Sequence, residues 1–439
     1  MFGPLQGPDL ARTHTLGNGV RLVCDPVPGL QTVAMVVAAG RGARWESQRQ
    51  SGWSHLLEHM VFKGAGGRSA RQIAEAVEAD GGQMNAETGF ERTVFHVRTL
   101  PLGLDGASAL LSDILLRPTL NPSDLARERR VVMQEIAEAE DAPDDLVFEM
   151  AQSAAFAGQP LGRCILGDGP SLRRASPAAL SDWRACLYAP DRLVVSVSGA
   201  VDEDAFLRLA ERDFGSAEPA AMPLSPPEPA RFTGSARTGD RDLEQANLVF
   251  LTPGLAVGDP DAWAAQVFAE CLGGGMASRL FQEAREARGL AYAVDAWGEY
   301  WSDCGLIGVF AGCEAGRASK VASLVAEQMI DLANAPREAE LARARAQLKA
   351  GLFMAAESLL SRAEQAATQV LTFGRPLTLS EIGERIDACD ATAVRRAGSR
   401  ILASGQAAAA VLGPRAAHPA AEVFRERLAR AAPAGTRTT

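Results

Sequence analysis

The chain has 439 residues, a length that predicts two or three domains. Hydrophobic residues make up 47% of it, which is ordinary for a globular protein and excludes a disordered chain. The formal net charge is −10, so the sequence lacks the basic surface of nucleic-acid-binding proteins and predicts no nucleic-acid partner.

The sequence shows no targeting or membrane segment. Residues 1–10 lack a basic stretch followed by an apolar core, so no secretory signal is predicted. No apolar run is long enough to predict a membrane span. The 7 cysteines are scattered singly, which is typical of reduced thiols. These features predict a cytoplasmic protein.

Two strand-like runs, Val20–Cys24 and Val33–Ala38, precede a segment that predicts a helix. Ser54 is predicted to cap the start of this helix, since serine is a preferred N-cap residue. The helix carries the sequence His55-Leu-Leu-Glu-His59. Because the two histidines are four residues apart, their imidazoles project from one face, which is the spacing that two zinc ligands need.

The same five-residue motif also offers a catalytic base. Glu58 shares the face of His55 and can take a proton from a metal-bound water without binding the metal itself. The order HxxEH is the inverzincin signature. The whole chain contains only 5 histidines, so chance alone is a poor explanation for the motif.

A zinc site needs a third protein ligand, and a second predicted helix offers one. Glu128 and Glu135 are two helical turns apart and therefore face the same way. One can bind the metal while the other supports a ligand or the water. Glu138 and Glu140 follow closely, and the local pattern alone does not favour Glu135 over Glu138. A solvated acidic helix face is the alternative.

A Pro-rich stretch at 216–234 divides the chain into two halves of similar length. Both halves end in a strand-like run followed by an amphipathic helical pattern; the two runs are Arg192–Gly199 and Gln406–Gly413. We therefore predict two homologous α+β domains, at 1–215 and 235–439, each a mainly antiparallel sheet with helices packed on one face. Chance similarity in an alanine- and arginine-rich chain is the alternative.

Over essentially its whole length, the sequence resembles the pitrilysin/insulinase family of inverzincin zinc metallopeptidases. It is most similar to the short two-domain branch related to mitochondrial processing peptidase. In that family the third ligand is a glutamate at a characteristic spacing after the second histidine, and Glu135 matches that spacing from His59. The resemblance therefore implies that His55, His59 and Glu135 bind one Zn²⁺ per chain, with Glu58 as base and Glu128 as a supporting catalytic residue.

The segment Gly81–Thr88 is similar to the family's GGxxNAxT strand, and Thr93–Val97 continues it with strand-like alternation. Family members pair an extended peptide with this strand, which implies that Asn85 and Ala86 bind substrate. Without the resemblance, a glycine turn before an ordinary structural strand is the simpler interpretation.

In the second half, Arg285 and Tyr292 match a family Arg/Tyr pair seven residues apart. The match implies that both residues bind substrate and take part in catalysis, because arginine can donate to peptide carbonyls and a tyrosine hydroxyl to a developing oxyanion. For Arg285 the alternative is a surface ion pair with Glu283 or Glu286.

Comparison of the halves predicts that only the first binds metal. Aligning the similar segments Asp124–Arg129 and Glu340–Arg345 places Glu128 and Glu135 on Ala344 and Gly351. The same alignment places the three motif residues near Cys271, Gly274 and Gly275. We therefore expect 235–439 to be a degenerate domain.

Trp53 departs from the family pattern. A small or aliphatic residue is more common at this position, two residues before the motif. A tryptophan beside the metal helix could narrow the site.

The resemblance implies a zinc-dependent endopeptidase that hydrolyses peptides or unfolded polypeptide segments. Longer relatives arrange four such domains as two clam-like halves around a chamber, so this chain would form one half. A homodimer would complete the chamber, with Arg285 and Tyr292 of one protomer serving the zinc site of the other. A heterodimer with a related chain is the alternative assembly. The alternative function is a catalytically inert scaffold or partner subunit of a peptidase complex, although such relatives usually lack the motif.

Overall fold

The computed structural model describes residues 11–219 and 224–432. The described chain forms two compact units. The first unit contains the described parts of Met1–Ala137, Cys164–Pro227 and Phe353–Ser380, and the second those of Glu138–Arg163, Glu228–Leu352 and Glu381–Thr439. Residues 1–10 and 433–439 of the predicted domains, and residues 220–223 of the predicted linker, lie outside the described residues.

The first unit is built on a sheet with one parallel pair. Its strands are β1 (Arg12–Thr15), β2 (Arg21–Pro26), β3 (Val33–Ala39), β4 (Gly64–Ala65), β5 (Arg68–Ser69), β6 (Gln83–Thr88), β7 (Thr93–Thr99) and β8 (Leu193–Gly199). Over the described residues, the strand order is β1-β2-β8-β3-β7-β6, with β2 and β8 parallel and the other neighbours antiparallel. Strand β6 therefore lies at the edge of this sheet.

The second unit repeats this plan. Its strands are β9 (Ala236–Asp240), β10 (Ala246–Gly254), β11 (Ala293–Tyr300), β12 (Gly305–Cys313) and β13 (Ala408–Gly413). They are ordered β11-β12-β10-β13-β9 in the described chain, and β9 pairs with β13 in parallel while the other neighbours are antiparallel. Both units thus have the mainly antiparallel sheet that the sequence predicts.

Helices and short turns connect the strands. The α-helices are α1 (Trp53–Val61), α2 (Ala70–Ala79), α3 (Leu104–Leu116), α4 (Pro122–Asp141), α5 (Pro143–Ala155), α6 (Gly169–Arg174), α7 (Pro177–Leu187), α8 (Glu203–Phe214), α9 (Ala262–Gly273), α10 (Ala318–Asn334), α11 (Glu338–Ala356), α12 (Leu359–Phe373), α13 (Leu379–Asp387), α14 (Ala391–Leu402) and α15 (Pro419–Ala431). A π-helix spans Phe281–Ala287. Single 3₁₀ turns lie at Ala43–Trp45, Gln48–Gln50, Pro101–Gly103, Pro160–Gly162, Pro190–Arg192, Ala315–Arg317 and Arg415–Ala417. None of the helices in the described ranges is both long and apolar enough to cross a membrane.

The main core of the first unit lies between one sheet face and helices that include α1, α3, α7 and α8. Strands β3 and β8 are buried along their whole length, because a further helix, α12, covers the opposite face. Small side chains on α12, such as Ala367, pack there against Val36 and Val194. Arg362 of α12 also donates hydrogen bonds of 2.7 and 2.8 Å to the buried carboxylate of Asp25 on β2.

In the second unit, helices likewise cover both faces of the sheet. Helices α9, α10, α14 and α15 enclose its main core on one face of the sheet. On the other face lies α5, whose Phe148 stacks on Phe310 with ring centroids 5.6 Å apart. The predicted layer of helices is therefore present in each unit, and each also has a helix on the opposite face.

These covering helices explain why the units are discontinuous in sequence. The division at Pro227 and Glu228 lies inside the predicted linker 216–234. Helix α5, however, belongs to the second unit although it precedes the linker, and α12 belongs to the first unit although it follows the linker. Each sheet buries the apolar face of a helix that comes from the other half of the sequence.

Candidate metal centre and active site

Helix α1 carries the HxxEH motif, and a carboxylate caps its first turn. Gly52 precedes the helix with a φ of 85°, a conformation that favours glycine. The buried carboxylate of Glu46 accepts hydrogen bonds from the backbone N–H groups of Gly52 and Ser54, at 2.8 and 2.6 Å. The prediction that Ser54 caps the helix is therefore wrong. Ser54 lies inside the first turn, and its hydroxyl accepts a hydrogen bond from Trp183 at 3.2 Å.

Trp53 fixes the start of this helix against the core. Its side chain is buried in the main core of the first unit. The indole Nε1 donates a hydrogen bond of 3.1 Å to the backbone oxygen of Ser171 on α6. The tryptophan that departs from the family pattern thus has a structural role in holding α1 in place.

Two imidazoles of α1 and one carboxylate of α4 converge on a single point. Oε2 of Glu135 lies 3.8 Å from Nε2 of His55 and 3.5 Å from Nε2 of His59. One possible ligand atom from each residue lies within 4.8 Å of the other two. Among residues 11–219 and 224–432, no other trio of His, Cys, Asp or Glu side chains is grouped in this way.

The chemistry of this trio fits a metal ion. Oε2 of Glu135 is buried and receives no hydrogen bond, an arrangement that costs free energy unless a cation lies beside the oxygen. Burial and the neighbouring charge of His59 lower the pKa of His55 to about 4, so its imidazole is neutral near pH 7 and can donate a lone pair. Two imidazole nitrogens and one carboxylate oxygen are a ligand set typical of zinc.

Glu128 supports His59 from the side opposite Glu135. Its buried carboxylate places Oε2 3.3 Å from Nδ1 of His59, and Oε1 accepts from the Lys63 ammonium at 3.0 Å. Because a carboxylate can only accept, Nδ1 carries the proton, and in the neutral ring Nε2 then has the lone pair that a metal would need. Glu128 and Lys63 thereby set the tautomer of His59.

Glu58, the remaining charged residue of the motif, is hydrogen-bonded to the sheet. The hydroxyl of Thr88, the last residue of β6, donates a hydrogen bond of 2.5 Å to Oε2 of Glu58. Burial raises the pKa of Glu58, whereas this hydrogen bond and the charge of His59 act in the opposite direction. The sequence did not identify Thr88 as a site residue, although it is the threonine of the GGxxNAxT pattern.

Asn85 and Ala86 lie in the middle of β6. They pair with His96 and Phe95 of β7, so their other backbone edge is not used within the described sheet. Asn85 is exposed and Ala86 is half-buried. An edge strand of this kind can accept a further extended chain by backbone hydrogen bonding.

Comparison with known proteins identifies the family. Residues 25–169 match the family "Insulinase (Peptidase family M16)", and residues 174–348 match "Peptidase M16 inactive domain". A protein of Rickettsia bellii named as an uncharacterized zinc protease is 33% identical over 400 residues, which covers 91% of this chain and 96% of that protein. The zinc protease YmxG of Bacillus subtilis, also named as uncharacterized, is 34% identical over 382 residues, 86% of this chain and 92% of its own length.

The chain belongs to peptidase family M16. This confirms the resemblance to the pitrilysin/insulinase family in its short two-domain form. The crystal structure of a protease from Helicobacter pylori has the same fold, with a TM-score of 0.85 at 20% identity, over 92% of this chain and 99% of that one.

In this M16 chain, Arg285 and Tyr292 lie in the second unit. Arg285 is on the π-helix, where its guanidinium lies 4.8 Å from the ring centroid of Phe281 and its Nε lies 3.9 Å from Oε1 of Glu286. Glu283 pairs with Arg288 instead, at 3.0 Å. Tyr292 is 62% exposed. The surface ion pair considered for Arg285 is thus present with Glu286.

In the described part of the second unit, the positions aligned with His55, Glu58, His59, Glu128 and Glu135 hold other residues. Ala344 and Gly351 lie on α11, where the first unit has its two glutamates on α4. Cys271 is buried on α9, and Gly274 and Gly275 follow that helix. None of these side chains supplies an imidazole or a carboxylate. The composition of this unit agrees with the description of the matched family as an inactive domain.

Proposed function

We propose that this M16 protein is a zinc-dependent endopeptidase that hydrolyses peptides or unfolded polypeptide segments. His55, His59 and Glu135 would hold one Zn²⁺ per chain. The observation that carries the proposal is the buried Oε2 of Glu135, which receives no hydrogen bond and faces Nε2 of both histidines. The relatives are named as zinc proteases, and these names support the choice of metal. When bound, zinc supplies a Lewis acid that polarises the scissile carbonyl and acidifies water.

The proposed roles of the other residues follow from their chemistry. Glu58 takes the proton of the attacking water and passes it to the leaving amine. Glu128 holds Nδ1 of His59 and so keeps Nε2 turned towards Glu135. Both carboxylates are held by a neighbouring side chain: Thr88 donates a hydrogen bond to Glu58, and Lys63 forms an ion pair with Glu128.

Substrate would bind as an extended strand on the edge of β6. Asn85 and Ala86 would pair with the peptide backbone beside the metal helix. Backbone pairing selects an extended conformation rather than a particular sequence, so many peptides would be accepted. Arg285 and Tyr292 would donate to the substrate carbonyls and to the developing oxyanion.

We also propose that the active assembly is a homodimer that encloses a chamber, one chain forming each clam-like half. This part rests on the family resemblance, in which the Arg/Tyr pair of one protomer completes the zinc site of the other. An inert scaffold or partner subunit is the alternative function. The complete set of ligands and base in the first unit favours the peptidase, since a scaffold has no need of them.

The test combines metal analysis with digestion. The purified chain should contain about one zinc per chain, cut an unstructured peptide, lose activity to a chelator and regain it with Zn²⁺. The same cut site placed inside a stable folded domain should be resistant, because an enclosed chamber admits only extended chains. Equal cleavage of both substrates would contradict the chamber, and a metal-free chain without activity would favour the scaffold.

A further inference from the structure

Thr88 connects the two elements that the proposed reaction brings together. Its Oγ1 donates a hydrogen bond of 2.5 Å to Oε2 of Glu58, and the residue is 8% exposed. Glu58 lies on the metal-binding helix α1, whereas Thr88 lies on β6, the edge strand proposed to bind peptide. A single side-chain hydrogen bond therefore joins the base to the proposed substrate strand.

The side chains of β6 alternate between the two sides of the strand, which explains how one strand can both contact Glu58 and bind a peptide. Met84 and Ala86 are half-buried against the main core of the unit, and Thr88 is buried on the same side. Asn85 and Glu87, between them, are exposed. Thr88 thus reaches Glu58 from the core-facing side of β6, while the backbone edge of the strand stays available for pairing.

The turn that follows Thr88 is tightly anchored. The backbone N–H groups of Ala43 and Arg44 donate to the oxygens of Gly89 and Phe90, at 3.0 and 2.8 Å. The Arg44 side chain, of which 2% is exposed, forms an ion pair of 2.5 Å with Glu91 in the same turn. These contacts restrain the end of β6, so the hydroxyl of Thr88 is held in place rather than free to follow movements of Glu58.

We propose that Thr88 is a positioning residue for the peptidase reaction. Its hydroxyl holds one oxygen of the Glu58 carboxylate at a fixed place relative to the substrate strand and leaves the other oxygen for proton transfer. A glutamate side chain without this contact can rotate about its terminal bonds, and small displacements of a catalytic group lower the rate strongly. This inference rests on the proposed function, since it assigns Glu58 the role of base.

The direct test compares Thr88→Val with Thr88→Ser. Valine keeps the shape of threonine and removes the hydroxyl, so we expect kcat to fall roughly 10- to 100-fold while KM and zinc content stay unchanged. Serine keeps the hydroxyl and should restore most of kcat. The matched control is Thr99→Val, which removes another buried threonine hydroxyl, one that donates to the backbone oxygen of Asp80 at 3.3 Å. That control should retain wild-type kcat.

A second readout does not depend on activity. In zinc-free protein, the melting temperatures of Thr88→Val, Glu58→Ala and the double variant should be non-additive, because the two side chains share one hydrogen bond. Thr99→Val combined with Glu58→Ala should be additive. Additive values for both pairs would overturn the contact between Thr88 and Glu58, whatever the activity of the protein.

The outcomes separate this inference from the proposed function. If the wild-type chain cuts no peptide, the proposed function fails. The melting temperatures of the single and double variants still test the contact between Thr88 and Glu58. If the wild-type chain cuts peptides and Thr88→Val cuts them with the same kcat, only the inference about Thr88 is overturned. A Thr88→Ser variant as slow as Thr88→Val, or a parallel loss of zinc and activity in both variants, would also overturn it.

Discussion

Oε2 of Glu135 lies 3.5 Å from Nε2 of His59, although these two side chains are far apart in the sequence and belong to different helices. Glu128, two turns earlier on the same helix as Glu135, reaches the other ring nitrogen at 3.3 Å. Helix α4 therefore contacts both nitrogens of one histidine on α1. One glutamate sets the tautomer, and the other faces the lone pair that this tautomer leaves available.

The ligand assignment predicts which substitutions remove the metal. His55→Ala and Glu135→Ala should each lose most bound zinc, because each deletes one of three protein ligands. Glu138→Ala is the matched control, since Glu138 is an exposed glutamate one turn further along α4. Zinc would be measured by elemental analysis after dialysis against a weak chelator. Full zinc occupancy in Glu135→Ala, or equal loss in Glu138→Ala, would contradict the assignment.

Removing Glu128 should weaken zinc binding without abolishing it. Glu128→Ala leaves Nδ1 of His59 without its acceptor, so the ring is less well oriented and zinc affinity should fall roughly 10- to 100-fold. Competition with a chromophoric chelator measures this affinity. Glu140→Ala, an exposed position on the same helix, should bind zinc like the wild type. Wild-type affinity in Glu128→Ala would show that His59 needs no such support.

The covering helix α12 predicts a large stability effect far from the site. Arg362→Ala leaves the carboxylate of Asp25, which is 3% exposed, without its cation, and should lower the free energy of unfolding by about 3–5 kcal/mol. Arg71→Ala removes an exposed i,i+4 pair with Glu75 and should cost only about 0.3–0.5 kcal/mol. Urea denaturation measures both values. Equal effects would contradict a structural role for the buried pair.

The proposed dimer predicts that two inactive variants complement each other. Chains with Glu58→Gln, mixed with chains carrying both Arg285→Ala and Tyr292→Phe, should regain about a quarter of wild-type activity, because half of the dimers are mixed and each has one intact composite site. Each variant alone must be nearly inactive. If labelled chains exchange and no activity returns, the Arg/Tyr pair does not serve the site of the other protomer.

The sequence predicts the helix of the HxxEH motif well because its signal is local. Two histidines at i and i+4 must share one helix face, and the structure has α1 over these residues. The glutamate could not be chosen on local pattern, since Glu135 and Glu138 lie on one predicted helix. The family spacing selected Glu135, and the structure brings that residue to the two histidines.

The features that the sequence missed depend on contacts between distant residues. A preference of serine for N-cap positions favoured Ser54, but Glu46 reaches the helix start and the Ser54 hydroxyl accepts from Trp183 instead. In the sequence, the predicted linker separates the covering helices α5 and α12 from the strands of the sheets that they cover. No periodicity within either helix indicates which sheet it covers. Such pairings are set by tertiary packing.

The zinc content and peptidase activity of Glu58→Gln are the decisive test of the proposed peptidase mechanism. Glutamine has nearly the shape of glutamate and can accept the hydrogen bond of Thr88, but it cannot take a proton. We expect wild-type zinc content and melting temperature with a loss of kcat of about 100- to 10,000-fold. Peptide cleavage by zinc-loaded Glu58→Gln at the wild-type rate would contradict this mechanism.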